Sequence, residues 1–501
     1  MSTFNSLYTV RSGLDAARRA LDVVGQNIAN ASTAGYSRQE VSFVAAEPGQ
    51  VINSAGRGIS DANVLRYRDE FLDRQYRNRA GSQGYFDTLS THLAQVEEIV
   101  GTLADGNVRT ALGAFFTSWD NLALRPSDPA LRRQVVSATE EFLAQARATF
   151  DDLARTRSEL DEAIRDKVGD INSATQQLEA LNQAIVSEKN NPQKTNELLD
   201  QRDRLLDSLA KLAGTSNVLH NDGTVTVFLG SLPIVDPNGS FPIDAAAAMQ
   251  TIGAVAPLTG FTQETTRLTW NGTTNSVTPT SGEIGALLSL RDKAVPEQMQ
   301  YLDNLVRTLA TQVNTLHMAA DKNGNPLPAA MQVPIFTSSS GAATLGTGWM
   351  DIAVNPALKA DPSLLVAGDT LLAPPAPPAA PTSPPAPSDG ERALKIARLR
   401  DAKILTGAPV GTSQVTAGEY MRSVSSVLGL QLQQAVRKGD AAGLQVAQAE
   451  KYRQSVSGVS IDDEMTKMIQ FQQAYNAAAR VMTTLDEMLD IMINRTGVVG
   501  R

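Results

Sequence analysis

Near its start the chain places apolar residues alternately three and four positions apart: Leu7, Val10, Leu14, Ala17, Leu21, Val24, Ile28 and Ala31. That spacing is the seam of a coiled-coil helix. The run NIANASTAGYSRQ, residues 27 to 39, ends it. Asn27, Asn30, Ser32 and Thr33 carry side chains that compete for backbone hydrogen bonds, and Gly35 supplies a left-handed exit. Residues 36 to 66 are broken by Gly49, Gly56 and Gly58 and predict short extended pieces and loops.

Helical periods follow. Phe86, Leu89, Leu93, Val96, Val100 and Leu103 form one stripe, ended at Asp105 to Asn107, and Leu112, Phe115, Phe116, Trp119 and Leu122 form another, which stops at Pro126 to Pro129. The longest stripe carries Phe150, Leu153, Leu160, Ile164, Ile171, Leu178 and Ile185, in a helix expected from about 131 to 189. A shorter helix then returns and closes at Gly214. From about Ser216 the period switches to alternation around an Asn-Asp-Gly turn, so 216–280 is expected to be a small antiparallel region. Helix resumes over 282–320.

The C-terminal stretch begins with a capping box, Ser460 and Asp463. It continues as a three-four stripe through Ile461, Met465, Met468, Gln472, Tyr475, Ala479, Met482, Leu485, Leu489 and Met492. The predicted fold class is therefore mainly α. Long coiled-coil-like helices from both termini and the chain middle form an elongated helical body, with a β-rich domain inserted in the centre. Three domains are expected. Residues 1–45 with 458–501 make a terminal helical domain for assembly. Residues 46–215 with 281–324 and 391–457 make a helical body. Residues 216–280 with 325–390 make a β-rich outer insert that includes the Pro-rich linker 374–388.

A narrow apolar seam has to be covered. Ordering one residue costs roughly 1–2 kcal/mol, and burying a Leu, Ile or Met side chain returns about 1.5–3 kcal/mol, so a lone two-faced helix does not support itself. The partner is the other terminus, another subunit, or both. Periodicity alone fits either a closed helical bundle or a subunit that stacks in a fibre.

Composition narrows the function classes. The net charge is −9, from 53 acidic and 44 basic residues, with no basic stripe interleaved with aromatics, which disfavours nucleic-acid binding. Cysteine is absent, which removes disulfides, thiolate metal sites and cysteine nucleophiles. No apolar run approaches the ~18 residues of a membrane span, and the first residues lack the pattern of a cleaved secretory signal. The three histidines, His92, His220 and His317, fall in no metal-binding or catalytic motif. The paired carboxylates Glu97/Glu98, Asp151/Asp152 and Asp462/Asp463 lie on or at the start of helices, where they suit a solvated face or the helix dipole. No catalytic, cofactor or metal residues are therefore assigned.

Two segments carry a family likeness. ALDVVGQNIANASTAGYSRQ resembles the N-terminal signature of flagellar rod, hook and hook-associated proteins, and EMTKMIQFQQAYNAAARVMTTLDEMLDIMIN resembles their C-terminal helix. Within that group Tyr36, Ser37, Arg38 and Gln39, the Phe-Gln-Gln-Ala-Tyr run at 471–475 and the helical interior resemble the hook-filament junction branch. The family often has Pro where this chain has Ala34. The resemblance implies a non-enzymatic structural adapter of the bacterial flagellum, exported by the flagellar type III route and located outside the cell at the hook-filament junction. It implies self-association in a ring, hook protein and a second junction protein as neighbours, and a cytoplasmic export chaperone at the C-terminal helices. Neither nucleic acid nor membrane insertion is implied. A hook or rod protein is the nearest alternative, and a flagellar cell-wall hydrolase a distant one. The expected assembly interface comprises Leu7, Val10, Leu14, Leu21, Val24, Ile28, Ile461, Met465, Met468, Tyr475, Met482, Leu485, Leu489 and Met492. The family's joint comprises Asn27, Asn30, Thr33, Gly35, Tyr36 and Arg38.

Overall fold

The computed structural model describes residues 3–46, 58–104, 107–188, 191–253, 259–370 and 388–492. Apart from Ser388, the Pro-rich stretch 374–388 lies outside the described residues. The elements in chain order are α1 (Thr3–Ala29), β1 (Gln39–Ala45), β2 (Ile59–Arg66), α2 (Glu70–Ala104), α3 (Asn107–Leu124), α4 (Pro129–Ser187) and α5 (Pro192–Ala213). Six strands follow: β3 (Ser216–Leu219), β4 (Val225–Leu229), β5 (Leu232–Asp236), β6 (Gly239–Ser240), β7 (Ile243–Ile252) and β8 (Phe261–Trp270). Next come α6 (Gly282–Ser289), a π-helical turn at Leu290–Ala294 and α7 (Val295–His317). The remainder is β9 (Phe336–Thr337), β10 (Ala353–Val354), α8 (Pro356–Ala360), α9 (Glu391–Ala397), β11 (Leu405–Gly407), β12 (Gly411–Val415), α10 (Ala417–Ser457) and α11 (Ile461–Asp490). The fold is mainly α, with long helices at both ends and in the middle and strands in the centre.

The chain divides into two compact units, 1–84 with 170–243 and 440–501, and 85–169 with 244–439. In the first, β1 and β2 form an antiparallel hairpin in which Val41 faces Val64. Ala20 and Val23 of α1 pack on those two valines, joined by Phe471 of α11. The short extended pieces expected within 36–66 are the two strands of this hairpin, and Val41 and Val64 have an apolar helix face to cover. Strands β3, β4, β5 and β6 make an antiparallel sheet in that order. Its first turn is the Asn-Asp-Gly turn, where Gly223 takes a left-handed φ of 88°. Gly214 closes α5 in the same backbone region, its N–H donating to the Ala210 carbonyl at 2.8 Å.

The second unit contains a packed aromatic cluster. The Phe115 ring centroid lies 6.2 Å from Phe142, 6.3 Å from Phe336 and 6.4 Å from Trp119, and all four side chains are buried. Arg392 of α9 ends α7. Its guanidinium donates to the carbonyls of Leu316, His317 and Ala319 at 2.8, 3.0 and 2.7 Å, occupying carbonyls that a helix end leaves without partners. All seven residues of the long stripe on α4, from Phe150 to Ile185, are buried.

Candidate assembly joint

Helix α1 stops one residue before Asn30, whose backbone N–H and side-chain amide both donate to the Gln26 carbonyl at 3.0 Å. A tight turn follows: Thr33 N–H bonds the Asn30 carbonyl at 2.9 Å and Tyr36 N–H the Thr33 carbonyl at 3.2 Å. Gly35 has φ 76°, and a Cβ there would lie 2.6 Å from Cγ of Arg204, so both backbone and space exclude a side chain.

The turn aims the chain back past Asn27, which is completely buried. Its Nδ2 donates to the Gln39 carbonyl and to Oε2 of Glu464, each at 2.8 Å. Its Oδ1 accepts from Tyr36 Oη at 2.9 Å and Gln39 N at 3.0 Å. All four hydrogen-bonding positions of the amide are used, and they join the end of α1, the start of β1 and the first turn of α11. Burial raises the Tyr36 phenol well above its ordinary pKa, and the negative charges of Asp200 and Glu464 add to this, so it stays a neutral donor. Because α1 ends where α11 begins, the two helices run antiparallel.

A charged layer supports the joint from below. Ser37 donates through Oγ and N to the two oxygens of Asp200, at 2.8 and 3.2 Å. Arg66 reaches Asp200 and Asp203 at 2.7 and 2.6 Å. Arg202 lies 2.9 Å from Asp203, and Arg77 lies 3.3 Å from it. Burial alone would raise the Asp203 pKa. The charges of Arg202, Arg66, Arg68 and Arg77 outweigh it and hold the carboxyl far below the usual range. Arg38 bonds the Ser457 carbonyl through its N–H at 2.9 Å, and its guanidinium lies over the Tyr67 ring at 4.5 Å.

The structure places the expected seam residues unevenly. Ala17 and Val24 are buried, while Leu7, Val10, Leu14, Leu21 and Ile28 are half-buried. Helix α1 has a second, more deeply buried face, Ala16, Ala20, Val23 and Asn27, which turns to the hairpin. On α11, Met468, Tyr475, Met482, Leu485 and Leu489 are half-buried, whereas Ile461, Met465 and, just past the helix end, Met492 are exposed. Glu464 is the buried residue of this helix and takes the place on the packed face where the expected stripe had its neighbours. Asn30, Thr33, Gly35, Tyr36 and Arg38 come together at the turn. The capping box at Ser460 is half made: its Oγ accepts from Asp463 N at 3.4 Å.

Sequence reasoning missed Glu464, Asp200 and Asp203. One signal was present for the first: Asn27 and Glu464 are each a polar residue on an otherwise apolar stripe. The arrangement clamps the end of α1 to the start of β1 and the first turn of α11. His92 pairs with Gln95 at 3.0 Å and His220 with Thr226 at 2.9 Å, and buried His317 accepts from Val366 N–H at 2.9 Å. Among the described residues no group of His, Cys, Asp and Glu is disposed to hold a metal ion. No helix of the described residues is long and apolar enough to cross a membrane.

Comparison with known proteins places this geometry. Residues 93–328 match the profile of the flagellar hook-associated protein FlgK helical domain. Residues 7–36 match that of the flagella basal body rod protein, and 453–495 that of the flagellar basal body rod FlgEFG protein C-terminal region. The chain is 29% identical to flagellar hook-associated protein 1 of Bacillus subtilis, over 100% of both chains. It is 26% identical to that of Salmonella typhimurium, over 96% of this chain and 98% of the other. The flagellar hook junction protein FlgK of Burkholderia pseudomallei shares the fold, with a TM-score of 0.60 and 18% identity over 77% of this chain and 100% of that one. Both terminal segments and the helical interior thus match flagellar proteins, and over its whole length the chain is similar to flagellar hook-associated protein 1.

Proposed function

We infer that this chain is a structural adapter of the bacterial flagellum that joins the hook to the filament. The observation that carries the reading is the joint: both termini are locked together at Asn27 and Glu464, while the stripes leading away from it remain half-buried. A helix pair left in that state gains its remaining burial from neighbouring subunits. The adapter acts by shape, without catalysis. Self-association in a ring, hook protein on one side, the second junction protein on the other and an export chaperone on the C-terminal helices before type III export complete the proposal.

Deletion of the gene tests it. Loss of an adapter leaves hooks without filaments and flagellin in the medium, whereas loss of a hook or rod protein removes the hooks as well. Labelled antibody against the chain is expected to mark only the hook-filament boundary of isolated flagella; label along the hook overturns the assignment. Lysis of purified cell wall by the pure protein would sink the claim that it is no enzyme.

A further inference from the structure

The turn at 30–36, the last turn of α10 and the α10–α11 connection at 458–460 enclose an open cavity of about 760 Å³, lined among others by Thr33, Arg38, Arg68, Tyr76, Arg453 and Val459. Its other arginines are matched. Arg68 lies 2.7 Å from Asp73, and Arg453 lies 2.6 Å from Glu450. Arg38 is the exception. Its Nε is buried with no acceptor, and no carboxylate among the described residues pairs with its guanidinium. Asp463 lines the same cavity and makes no ion pair with it. A buried donor left unsatisfied on a charged group is unfavourable, and a guanidinium already placed over a tyrosine ring is pre-organised to receive a carboxylate.

The chain carries such a carboxylate where it cannot reach its own cavity. Helix α11 starts beside the cavity and runs for 30 residues, roughly 45 Å at the α-helical rise. At its far end Asp486 and Glu487 are exposed and without an ion pair among the described residues, next to exposed Met488 and Ile491. We propose that the cavity beside Arg38 receives this acidic tip of α11 from a second copy of the chain, with Glu487 pairing Arg38 and Met488 covering the apolar wall at Val459. The contact joins two different surfaces, so it repeats from copy to copy and builds a ring or row, as a heterologous interface must. The proposal rests on the adapter reading and names the contact through which copies associate.

The chain has no cysteine, so an introduced pair reports one contact without background. Cells producing the chain with Ser32→Cys at the cavity lip and Met488→Cys at the tip are grown, and their flagella are isolated and oxidised. Dimers and longer multimers of this chain are expected, and either single variant gives no multimers beyond the dimer. Flagella that contain the double variant but yield only monomer, or a link to another polypeptide, overturn the docking while leaving the adapter reading intact. Absence of the wild-type chain from flagella overturns both. Independently, Arg38→Glu is expected to lower the amount of chain in flagella about tenfold, the scale of one lost ion pair. Adding Glu487→Arg to the same chain is expected to restore it. Failure of the second change to restore incorporation, with the variant folded by circular dichroism, counts against the pairing.

Discussion

Asn27 shows how one amide can decide the geometry of a chain end. Truncation at Asn27→Ala strands the Glu464 carboxylate, the Tyr36 hydroxyl and the Gln39 N–H together. The expected cost is about 3 kcal/mol, since each buried unsatisfied group is worth roughly 1–3 kcal/mol. Hydrogen exchange checks it: protection should fall at 27–41 and 460–468 together, and unchanged protection at either segment contradicts the hub. Asn27→Asp sets a carboxylate against Glu464 and is expected to be worse at neutral pH, with Glu464→Gln in the same chain recovering much of the loss. His317 makes a different prediction. Burial, followed by the charge of Arg392, lowers its pKa to about 3. The unfolded chain binds its proton near pH 6.5 while the folded chain does not, so the unfolded state holds more protons between the two values. Stability of the second unit therefore falls as pH drops from about 6.5 toward 3, by up to about 1.4 kcal/mol per pH unit. The depressed carboxylates such as Asp161 act lower, below their unfolded value near 4. His317→Gln keeps an acceptor for the Val366 N–H and does not titrate, so it should flatten the slope of denaturation midpoint against pH between about 4.5 and 6.5.

At the scale of elements, the two terminal helices are unequal. Helix α1 is anchored twice, to the hairpin through Ala20 and Val23 and to α11 through its half-buried seam. Helix α11 is anchored at its first turns, by Glu464 and by Phe471 edge-on to Phe43 at 6.2 Å, and its later turns bury little. In a verified monomer the amides of 16–27 are expected to be slow to exchange and those of 476–490 fast, with the latter becoming slow on assembly. Uniform slow exchange along α11 in the monomer would mean that the pair completes itself. Leu21→Asp puts a charge on the half-buried seam and should block incorporation into flagella while leaving the rest of the chain folded. The helices themselves were legible in the residues. Their period, the Gly214 stop, the Asn-Asp-Gly turn and the stop at Asn30 all depend on side chains within a few positions of each other. The pairing of β1 with β2 was not, because the extended pieces are short and their apolar residues are specified by the α1 face they cover.

For the whole molecule, the Pro-rich stretch gives a clean test of independence between a segment and the fold around it. Asp389 Oδ2 accepts from the N–H groups of Asp369 and Thr370, each at 2.7 Å, so the chain before 371 and the chain after 387 are tied at one place. Replacing 371–387 by a short Gly-Ser link should leave the melting of the second unit within about 1 kcal/mol of the parent, since loop-closure entropy changes slowly with length. A larger loss would show that the segment packs on the unit. The residues alone determined a mainly helical chain with apolar stripes at both ends, a left-handed stop at Gly35 and a family signature, because each of these is written in spacing and local backbone chemistry. Tertiary structure decided which face of α1 is buried deepest, and it paired Asn27 with Glu464 across 437 positions. It also left the Arg38 Nε without an acceptor. Periodicity shows that a side chain faces inward; only the closed chain shows which distant atoms are there to meet it.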